Sequence, residues 1–363
     1  IELRNQMSYD MDISRWKLRG GIEFDFPTNT LVPGNGYLVV ASSPSNLTTV
    51  TGCTNVVGPF TGQLSNSGEE IRLRNNSGRL MDVVSYGDGG KWIVVQARTI
   101  YSMCLAYQMF GEPVFLEQAA QGAAFFREHF RDKENGAWYH GVSRDGGEVV
   151  DDSKQPYGLS FVSYGLAEYA RLSGDRGALQ DAIETHDLVM GKCWDAERGG
   201  LPNRFTADWQ LVEGIKRVDT HMHTMEGVSA LYHATGDERY LERLNLLADT
   251  ILGRIGVDGC YDAEHGCTHE MFHMDWSEAV ERTDGLCNYG HVTEAGWFIA
   301  KLAGYTGNER HARLARGLVD WAIAHGFDQD RGGLYDYGRP TGEVARNLKV
   351  WWNQAELLGA LAY

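Results

Sequence analysis

The spacing of hydrophobic residues changes once along the chain, near Trp92. Before that point, runs such as residues 70–74 alternate apolar and polar positions, which is typical of half-buried β-strands. Turn sequences such as residues 75–78 separate these runs, so residues 1–92 predict an all-β, immunoglobulin-like sandwich. After Trp92 apolar residues recur every three or four positions, which predicts a mainly α domain over residues 93–363.

The helical part predicts about nine helices that form a repeat. They cover residues 94–110, 114–130, 156–172, 177–193, 220–234, 238–255, 289–304, 309–325 and 347–363. Acidic, glycine-bearing loops begin at Asp132, Asp195, Asp262 and Asp328, at nearly equal intervals along the chain. A period that long, with two helices per unit, indicates stacked helical hairpins, which form either a solenoid or a closed α/α toroid.

Polar and aromatic residues recur early in alternate helices and favour the toroid. They are Arg98, Tyr157, Asp219, His221, His223, His291, Glu294, Lys349, Trp351, Trp352 and Glu356. If the odd-numbered helices form the inner ring, these side chains converge on one mouth. Each one alone could equally be a satisfied core residue, but their register favours a binding site. Indole and phenol faces stack on sugar C–H groups while Arg, His and Glu bind hydroxyls, so a sugar suits this mouth.

Composition and charge limit the kinds of molecule that the chain can bind. The chain has 363 residues, with 33 Lys and Arg against 49 Asp and Glu, and its net charge of −16 repels phosphate backbones, so we expect no nucleic acid partner. No apolar run approaches the roughly 18 residues needed to span a bilayer. Six cysteines are too sparse for a disulfide scaffold.

Five segments of the helical part resemble the N-acylglucosamine 2-epimerase family, which includes cellobiose 2-epimerases and mannose isomerases. The segments are residues 95–98, 153–157, 219–226, 290–297 and 349–356. The resemblance implies an (α/α)6 barrel and a carbohydrate epimerase or isomerase that acts on a hexose, an N-acylhexosamine or a β-linked disaccharide without a cofactor or metal. Six segments of residues 1–92, namely 1–5, 12–18, 26–27, 36–40, 64–69 and 83–88, resemble the lamin-tail domain. This resemblance implies an immunoglobulin-like fold and no catalytic role.

The family chemistry is proton transfer at C2 of an open-chain sugar through an enediol or enediolate. The resemblance implies that His291 is one member of the acid/base pair, that Glu294 orients or tunes it, and that His223 assists ring opening. Arg98 would stabilise the enediolate oxygen. The implied substrate-binding residues are Tyr157, Asp219, His221, Trp297, Trp352 and Glu356. The family usually has Asn where this chain has Asp219, so hydrogen bonding at that position could differ.

Nine helices are three short of the family's twelve. The second catalytic histidine of the family lies on the sixth inner helix, which residues 1–363 do not reach, so we expect a fragment truncated at both ends of the toroid, with little or no epimerase activity. The chain could form a homodimer. The epimerase-like part suggests the cytoplasm, whereas the lamin-tail-like part allows an extracytoplasmic location.

Two other functions remain open from the sequence. A carbohydrate-binding or interaction protein on the same toroid would bind without turnover. His269 and His273 also complete a literal HExxH motif, with Glu294 further along the chain as a third ligand, as in a zinc metallopeptidase. That motif follows the loop that begins at Asp262, where the other repeats predict a rim hairpin rather than a helix, which argues against zinc.

Overall fold

The computed structural model describes residues 1–64, 68–87, 89–253 and 259–362. The chain forms two compact units, Ile1–Gly90 and Lys91–Tyr363. The sequence places the division two residues later. The difference is the strand Lys91–Trp92, which pairs with Gly141–Val142 and therefore belongs to the helical unit.

The first unit consists of short strands and one helix. Its elements are β1 Glu2–Arg4, β2 Met11–Asp12, β3 Lys17–Arg19, β4 Ile22–Asp25, β5 Leu31–Val32, β6 Tyr37–Val40, α1 Pro44–Thr51, β7 Val56–Val57, β8 Thr61–Gly62, β9 Gly68–Arg74 and β10 Leu80–Gly87. The larger sheets have the strand orders β10-β9-β3-β4-β8 and β1-β6-β7. Alternate residues of β4 and β6, such as Ile22 and Val40, are buried in one apolar core, as the period-two pattern predicts.

Helix α1 departs from the all-β prediction for this unit. It begins at Pro44, whose fixed φ suits the first turn of a helix, and Gly52 ends it in the left-handed conformation with φ of 71°. None of its residues is buried, so no apolar stripe marked it in the sequence.

The second unit alternates helices with short rim strands. Its elements are β11 Lys91–Trp92, α2 Ile93–Phe110, α3 Pro113–His129, β12 Gly141–Val142, β13 Val149–Asp151, α4 Pro156–Ser173, α5 Arg176–Leu188 with a π-helical turn Val189–Cys193, β14 Pro202–Phe205, β15 Leu211–Arg217, α6 Val218–Thr235, α7 Arg239–Leu252, β16 Tyr261–Asp262, β17 Cys267–Thr268, β18 Met271–Phe272, α8 Val280–Thr283, β19 Cys287–Asn288, α9 Tyr289–Thr306, α10 Glu309–Gly326, β20 Tyr337–Gly338, β21 Val344–Arg346 and α11 Trp351–Ala362.

The helices form an inner and an outer row, as the repeat predicts. Helices α2, α4, α6, α9 and α11 pack on one another in that order, while α3, α5, α7 and α10 each pack outside the preceding inner helix. The inner helices α2, α4, α6 and α9 all have 18 residues. Because every residue of an α-helix adds the same rise, helices of equal length place residues of equal rank at the same depth of the bore.

A glycine in the left-handed conformation ends each of these four inner helices. They are Gly111, Gly174, Gly236 and Gly307, with φ between 67° and 78°. A β-carbon is strained at such φ values, which explains the residue type. The shared cap turns the chain into the next outer helix at the same level in every repeat.

The acidic loops anchor the rim through buried ion pairs. The Nζ atoms of Lys154 and Lys216 lie 2.7 Å and 2.8 Å from Asp132 and Asp195, and neither lysine side chain is exposed. Lys349 makes the equivalent contact with Asp328 at 2.6 Å. The prediction that Lys349 lies inside the last helix is wrong, because the helix begins at Trp351.

Among the described residues, no helix is both long enough and apolar enough to cross a membrane. The helical unit instead encloses one continuous apolar core, which runs from Ile93 in α2 to Leu357 in α11. The early turns of the inner helices, next to the rim strands, carry the polar residues.

Candidate active site

The early turns of the five inner helices bring most of the predicted site residues together. Tyr157 contacts His223 with their ring centroids 5.1 Å apart, and Nε2 of His223 lies 3.8 Å from an oxygen of Glu294. The rings of His291 and Trp352 lie 5.1 Å apart. Residues that are about one repeat apart in the sequence therefore form one cluster in the early turns of these helices.

His291 is held by a carboxylate that the sequence analysis did not assign. Its Nδ1 lies 2.6 Å from Oε2 of Glu270, which leaves Nε2 for the bore, and the side chain is 16% exposed. Burial alone would lower the pKa of this imidazole. Glu270, Asp219 and Glu294 outweigh burial and raise the pKa of His291 to about 9. His291 thus rests as an imidazolium at neutral pH.

Glu270 belongs to the rim segment between β17 and β18. Its Oε1 accepts a hydrogen bond from the backbone N–H of Asn288, and its carbonyl accepts one from the backbone N–H of Val218. One residue therefore ties the first turns of α6 and α9 to the rim. The carboxylate is 7% exposed, so its charge acts on His291 with little screening by solvent.

His223 has a carboxylate partner of its own. Its Nδ1 lies 2.6 Å from Oε2 of Glu226, which is one turn further along α6. Burial opposes the charged form of His223, but Glu294 and Glu226 outweigh it and raise the pKa of His223. The two histidines thus share one arrangement, in which a carboxylate holds Nδ1 and a proton can be transferred at Nε2.

The sequence predicts that Glu294 orients or tunes His291, and the charge of Glu294 is one of those that raise the pKa of His291. No hydrogen bond joins these two side chains among the described contacts, and Glu294 lies instead 3.8 Å from Nε2 of His223. Burial raises the pKa of Glu294 to about 7, because His223 and His291 only partly offset the lost solvation and the charge of Glu356. Glu294 can therefore both accept and donate a proton near neutral pH.

Asp219 is fixed as an anion by Arg217. The guanidinium donates to both carboxylate oxygens, at 2.9 Å and 2.5 Å, and the backbone N–H of Thr220 donates a further bond at 2.7 Å. Burial raises the pKa of Asp219, but Arg217 outweighs it and brings the pKa to about 2. A bidentate pair of this kind takes up most of the acceptor capacity of the carboxylate, so Asp219 is an oriented charge with few free lone pairs.

His221 is a structural bridge. Its Nδ1 donates to the carbonyl oxygen of Arg217 at 2.6 Å, its Nε2 accepts from the backbone N–H of Leu201 at 2.9 Å, and its side chain has no exposed surface. Burial lowers the pKa of His221 to about 4, so the ring is neutral. The prediction that His221 binds substrate is corrected to a structural role, because both ring nitrogens are already used.

Aromatic side chains and the guanidinium of Arg98 complete the candidate site. The guanidinium of Arg98 lies 4.3 Å from the ring centroid of Phe161, which orients it as a cation–π pair. The indole N–H of Trp297 donates to Oε2 of Glu356 at 2.9 Å. Burial raises the pKa of Tyr157 to about 12, so its hydroxyl is a neutral donor and acceptor.

The HExxH segment is not a helix. Residues Met271–Phe272 form strand β18, and the flanking histidines make unrelated contacts. His269 lies 3.2 Å from Asp262 and 3.0 Å from Glu278, whereas His273 lies 3.4 Å from Glu281 on the surface. The motif therefore lacks the shared helix face that zinc ligation requires. The glutamate of the motif, Glu270, instead contacts His291.

Within the part of the chain that the structure describes, a different trio brings possible metal ligands together. One ligand atom each of His223, Glu226 and Glu294 lie within 4.8 Å of one another. The positive charge of Arg98 acts on His223 and opposes a further cation there. The trio suits proton transfer, because an imidazole and two carboxylates lie within reach of one another.

Sequence reasoning missed Glu270, Glu226, Arg217 and Phe161. Glu226 lies at i+3 from His223, a spacing that marks neighbours on a helix face. Arg217 ends strand β15, outside the helical motifs. Glu270 stood out only as part of the HExxH motif, and its contact with His291 joins two separate segments that no local pattern connects.

Two sequence families match the chain. The N-acylglucosamine 2-epimerase family matches residues 81–363, and the lamin-tail domain family matches residues 1–88. A cellobiose 2-epimerase of Bacteroides fragilis is 27% identical over 284 residues, which cover 73% of this chain and 68% of the relative. A D-mannose isomerase of Marinomonas mediterranea is 23% identical over 282 residues, which cover 76% and 70%.

The fold has solved counterparts. A cellobiose 2-epimerase from Bacillus thermoamylovorans superimposes with a TM-score of 0.68 at 24% identity, over 75% of this chain and 70% of the other. At that identity the likeness establishes the fold, which is the (α/α)6 arrangement that the resemblance implies. The described helices form part of that arrangement, with five inner and four outer members, and do not close into a complete ring.

Proposed function

The chain belongs to the N-acylglucosamine 2-epimerase family of carbohydrate epimerases and isomerases, and on this basis we propose that it moves a proton at C2 of an open-chain sugar through an enediol or enediolate. The substrate would be a hexose, an N-acylhexosamine or a β-linked disaccharide. The observation that carries the proposal is the pair of buried histidines, each with Nδ1 on its own carboxylate. This arrangement fixes Nε2 as the atom that meets the sugar.

His291 would be the acid/base at C2. Its neutral form removes the C2 proton, and the imidazolium that this transfer creates places positive charge next to the enediolate. With a pKa of about 9, the neutral form is a small fraction at pH 7 and becomes dominant above pH 9. Proton abstraction by His291 should therefore accelerate as the pH rises towards 9.

Arg98 and Tyr157 would stabilise the oxygens of the enediolate. The guanidinium packs on Phe161, which limits its orientations. Tyr157 has a neutral hydroxyl that can donate to the same region. Preorganised donors in a buried site favour the charged intermediate over the neutral sugar.

His223 would act on the ring form of the sugar. Its Nδ1 is held by Glu226, and its Nε2 lies 3.8 Å from Glu294, whose pKa of about 7 allows either protonation state. The Nε2 proton can pass to the ring oxygen while a carboxylate accepts the proton of the anomeric hydroxyl. Trp352, Trp297 and Glu356 would bind the sugar faces and hydroxyls beside this pair.

Loss of the C2 proton to deuterated water tests the proposal directly. Glucose, mannose, N-acetylmannosamine and cellobiose are each incubated with the protein in D2O, and NMR follows the C2–H signal and any epimer or ketose. His291→Asn should slow the exchange by about 100-fold or more. The matched control is His273→Asn, because His273 is 45% exposed and pairs with a surface glutamate.

Each outcome is informative. Exchange that His291→Asn leaves unchanged would contradict the role of His291. Sugar binding without exchange by the wild type would favour the carbohydrate-binding alternative. Exchange without an epimer or ketose would show that one proton-transfer group is present and that a second one is needed to complete the reaction.

We also propose which of the two units carries the activity. Residues 93–363 would carry the activity and residues 1–92 would serve as a lamin-tail-like module without a catalytic role, with the family matches as support. A cytoplasmic location for the epimerase part is supported by its five cysteines, which are all free and buried. Sedimentation analysis of the purified chain would test the homodimer.

A further inference from the structure

His291 lies in the first turn of its helix, where the helix does not hold its own backbone N–H groups. It is the third residue of α9, which begins at Tyr289. The first four N–H groups of an α-helix have no partner within the helix. His223 lies in the second turn of α6, which begins at Val218, so the hydrogen bonds of that helix hold its backbone. The position of His291 therefore depends on groups outside α9.

Asn288, the residue before α9, supplies the missing partner. Its side-chain oxygen accepts a hydrogen bond from the backbone N–H of His291 at 3.1 Å, and the residue is 1% exposed. Its own backbone N–H donates to Oε1 of Glu270 at 3.1 Å, and the other oxygen of that carboxylate lies 2.6 Å from Nδ1 of His291. Asn288 thus contacts both members of the Glu270–His291 pair.

A carboxylate fixes the orientation of the Asn288 amide. Nδ2 of Asn288 donates to Oδ1 of Asp336 at 3.0 Å. A carboxylate accepts hydrogen bonds and does not donate them, so Asp336 selects the amide nitrogen and leaves the amide oxygen for His291. The carbonyl oxygen of Asp336 also accepts from the backbone N–H of Tyr289 at 3.1 Å. The rim residue Asp336 therefore holds the start of α9 at two points.

A side-chain cap distinguishes α9 from the other inner helices of the same length. In the part of the chain that the structure describes, the residues before α2, α4 and α6, which are Trp92, Gln155 and Arg217, make no such bond. Side-chain caps occur on outer helices, at Asp175 before α5 and Asn308 before α10. Because three long inner helices form without a side-chain cap, helix stability alone does not explain Asn288.

The space around the first turn of α9 leaves little room for another position. A β-carbon on Gly290 would lie 2.6 Å from atoms of both Trp352 and Asn353, so α9 and α11 approach each other as closely as glycine allows. The rings of Trp352 and His291 lie 5.1 Å apart. A shift of this turn would therefore change the contacts of His291 with Glu270 and with Trp352.

We propose that Asn288 is a positioning residue for His291, which it holds through the capping bond while its backbone holds Glu270. The inference rests on the proposed function, in which His291 transfers the C2 proton. The charges that raise the pKa of His291 belong to Glu270 of the rim, Asp219 of α6 and Glu294 of α9 itself. Asn288 sets the contact with Glu270, so loss of the cap should weaken that contact and lower the pKa of His291.

NMR titration of the His291 ring without sugar tests the proposal, with the signal assigned by its loss in His291→Asn. Wild type, Asn288→Ala and Asn288→Ser are compared, because serine keeps an oxygen for the backbone N–H of His291 and alanine does not. We expect the midpoint to fall by about one pH unit in Asn288→Ala, and by less than about half of that in Asn288→Ser.

Asn308→Ala is the matched control. Asn308 caps the outer helix α10 by accepting hydrogen bonds from the backbone N–H groups of Arg310 and His311. The residue type and the capping role are those of Asn288, but the helix belongs to the outer row. Asn308→Ala should lower the melting temperature, as Asn288→Ala does, and leave the midpoint of His291 unchanged.

C2–H exchange in D2O adds a kinetic readout. Asn288→Ala should lower kcat about tenfold and leave KM within about twofold, because Nε2 of His291 is displaced while the groups that bind the sugar are retained. The rising limb of kcat/KM against pH should move to lower pH together with the NMR midpoint. A smaller folded fraction alone would lower the rate and leave this limb in place.

The two proposals fail in distinguishable ways. If the wild type does not exchange C2–H, the proposed function fails, and the NMR midpoint still decides the role of Asn288. A folded Asn288→Ala with the wild-type midpoint would overturn the positioning role. Equal shifts in Asn288→Ala and Asn288→Ser would also overturn it, because the capping oxygen would then not be the group that acts. If Asn288→Ala does not fold, Asn288→Gly decides in its place, since glycine removes the same oxygen at a smaller cost to the helix.

Discussion

Oε2 of Glu270 lies 2.6 Å from Nδ1 of His291, and this contact joins a rim segment to the inner helix that carries the histidine. The same carboxylate accepts a hydrogen bond from the backbone N–H of Asn288 at the start of that helix. Glu270 therefore sets both the orientation and the charge of His291. The acid/base properties of the site depend on this rim contact as much as on the histidine.

Glu270→Gln should shift the pH dependence of catalysis. The carboxylate favours the imidazolium and contributes to the pKa of about 9, so the amide should lower that pKa towards the ordinary histidine value. The rising limb of kcat/KM against pH then moves to lower pH. C2–H exchange between pH 5 and 10 gives the profile, and an unchanged limb in Glu270→Gln would refute the assignment of this limb to His291.

Glu294→Gln should change how stability depends on pH. Burial raises the pKa of Glu294 from 4.5 to about 7, so the fold prefers the protonated form. Between pH 4.5 and 7 the unfolded chain ionises first, and the free energy of unfolding falls as the pH rises. The variant lacks this loss and should be more stable than the wild type above pH 7, by an amount on the order of 3 kcal/mol.

Urea unfolding of the helical unit at pH 4.5, 6 and 8, followed by circular dichroism, measures the effect of Glu294→Gln. Glu309→Gln serves as the control, because Glu309 is 89% exposed and begins an outer helix. A difference between Glu294→Gln and wild type that stays constant over this pH range would contradict the raised pKa.

His221→Ala should destabilise the fold without a specific effect on chemistry. The substitution strands the backbone N–H of Leu201 and the carbonyl of Arg217 in a buried position. Each unsatisfied group costs roughly 1–3 kcal/mol. Thermal unfolding should show the loss, while kcat of the folded fraction stays near that of the wild type.

His223→Ala is the comparison for this experiment, since the two histidines lie two positions apart on α6. It should lower kcat per folded molecule by about 100-fold or more, and it should also reduce stability because it removes the partner of Glu226. A large fall in kcat per folded molecule in His221→Ala would restore the original prediction that His221 meets the substrate.

Asp132→Asn should be more destabilising than Asp328→Asn. Lys154 has no exposed surface, so removing its partner leaves a buried charge, at a cost of about 3–5 kcal/mol. Lys349 in the equivalent pair is 30% exposed and can turn to water. Melting temperatures of the two variants provide the comparison, and equal losses would show that burial of the lysine does not set the cost.

Local patterns in the sequence carried the architecture because they depend on near neighbours. Apolar spacing located the inner and outer helices to within a few residues, and the spacing of the acidic loops revealed their repeat. The prediction was wrong at Lys349, where an ion pair with Asp328 of the preceding loop holds the chain out of the helix until Trp351. A tertiary contact overrode a favourable local pattern.

The sequence by itself determined the family, the order of helices and the residues of the inner-ring cluster, because these follow from periodicity and from motifs read along one helix. Only the tertiary structure decided the hydrogen-bond partners and the pKa values of those residues. Glu270 contacts His291 from another segment, and Glu294 lies next to His223. Both ring nitrogens of His221 are hydrogen-bonded to backbone groups. Burial and charge act through space, so a pKa near 9 or 4 is set by neighbours that the linear order of residues does not reveal.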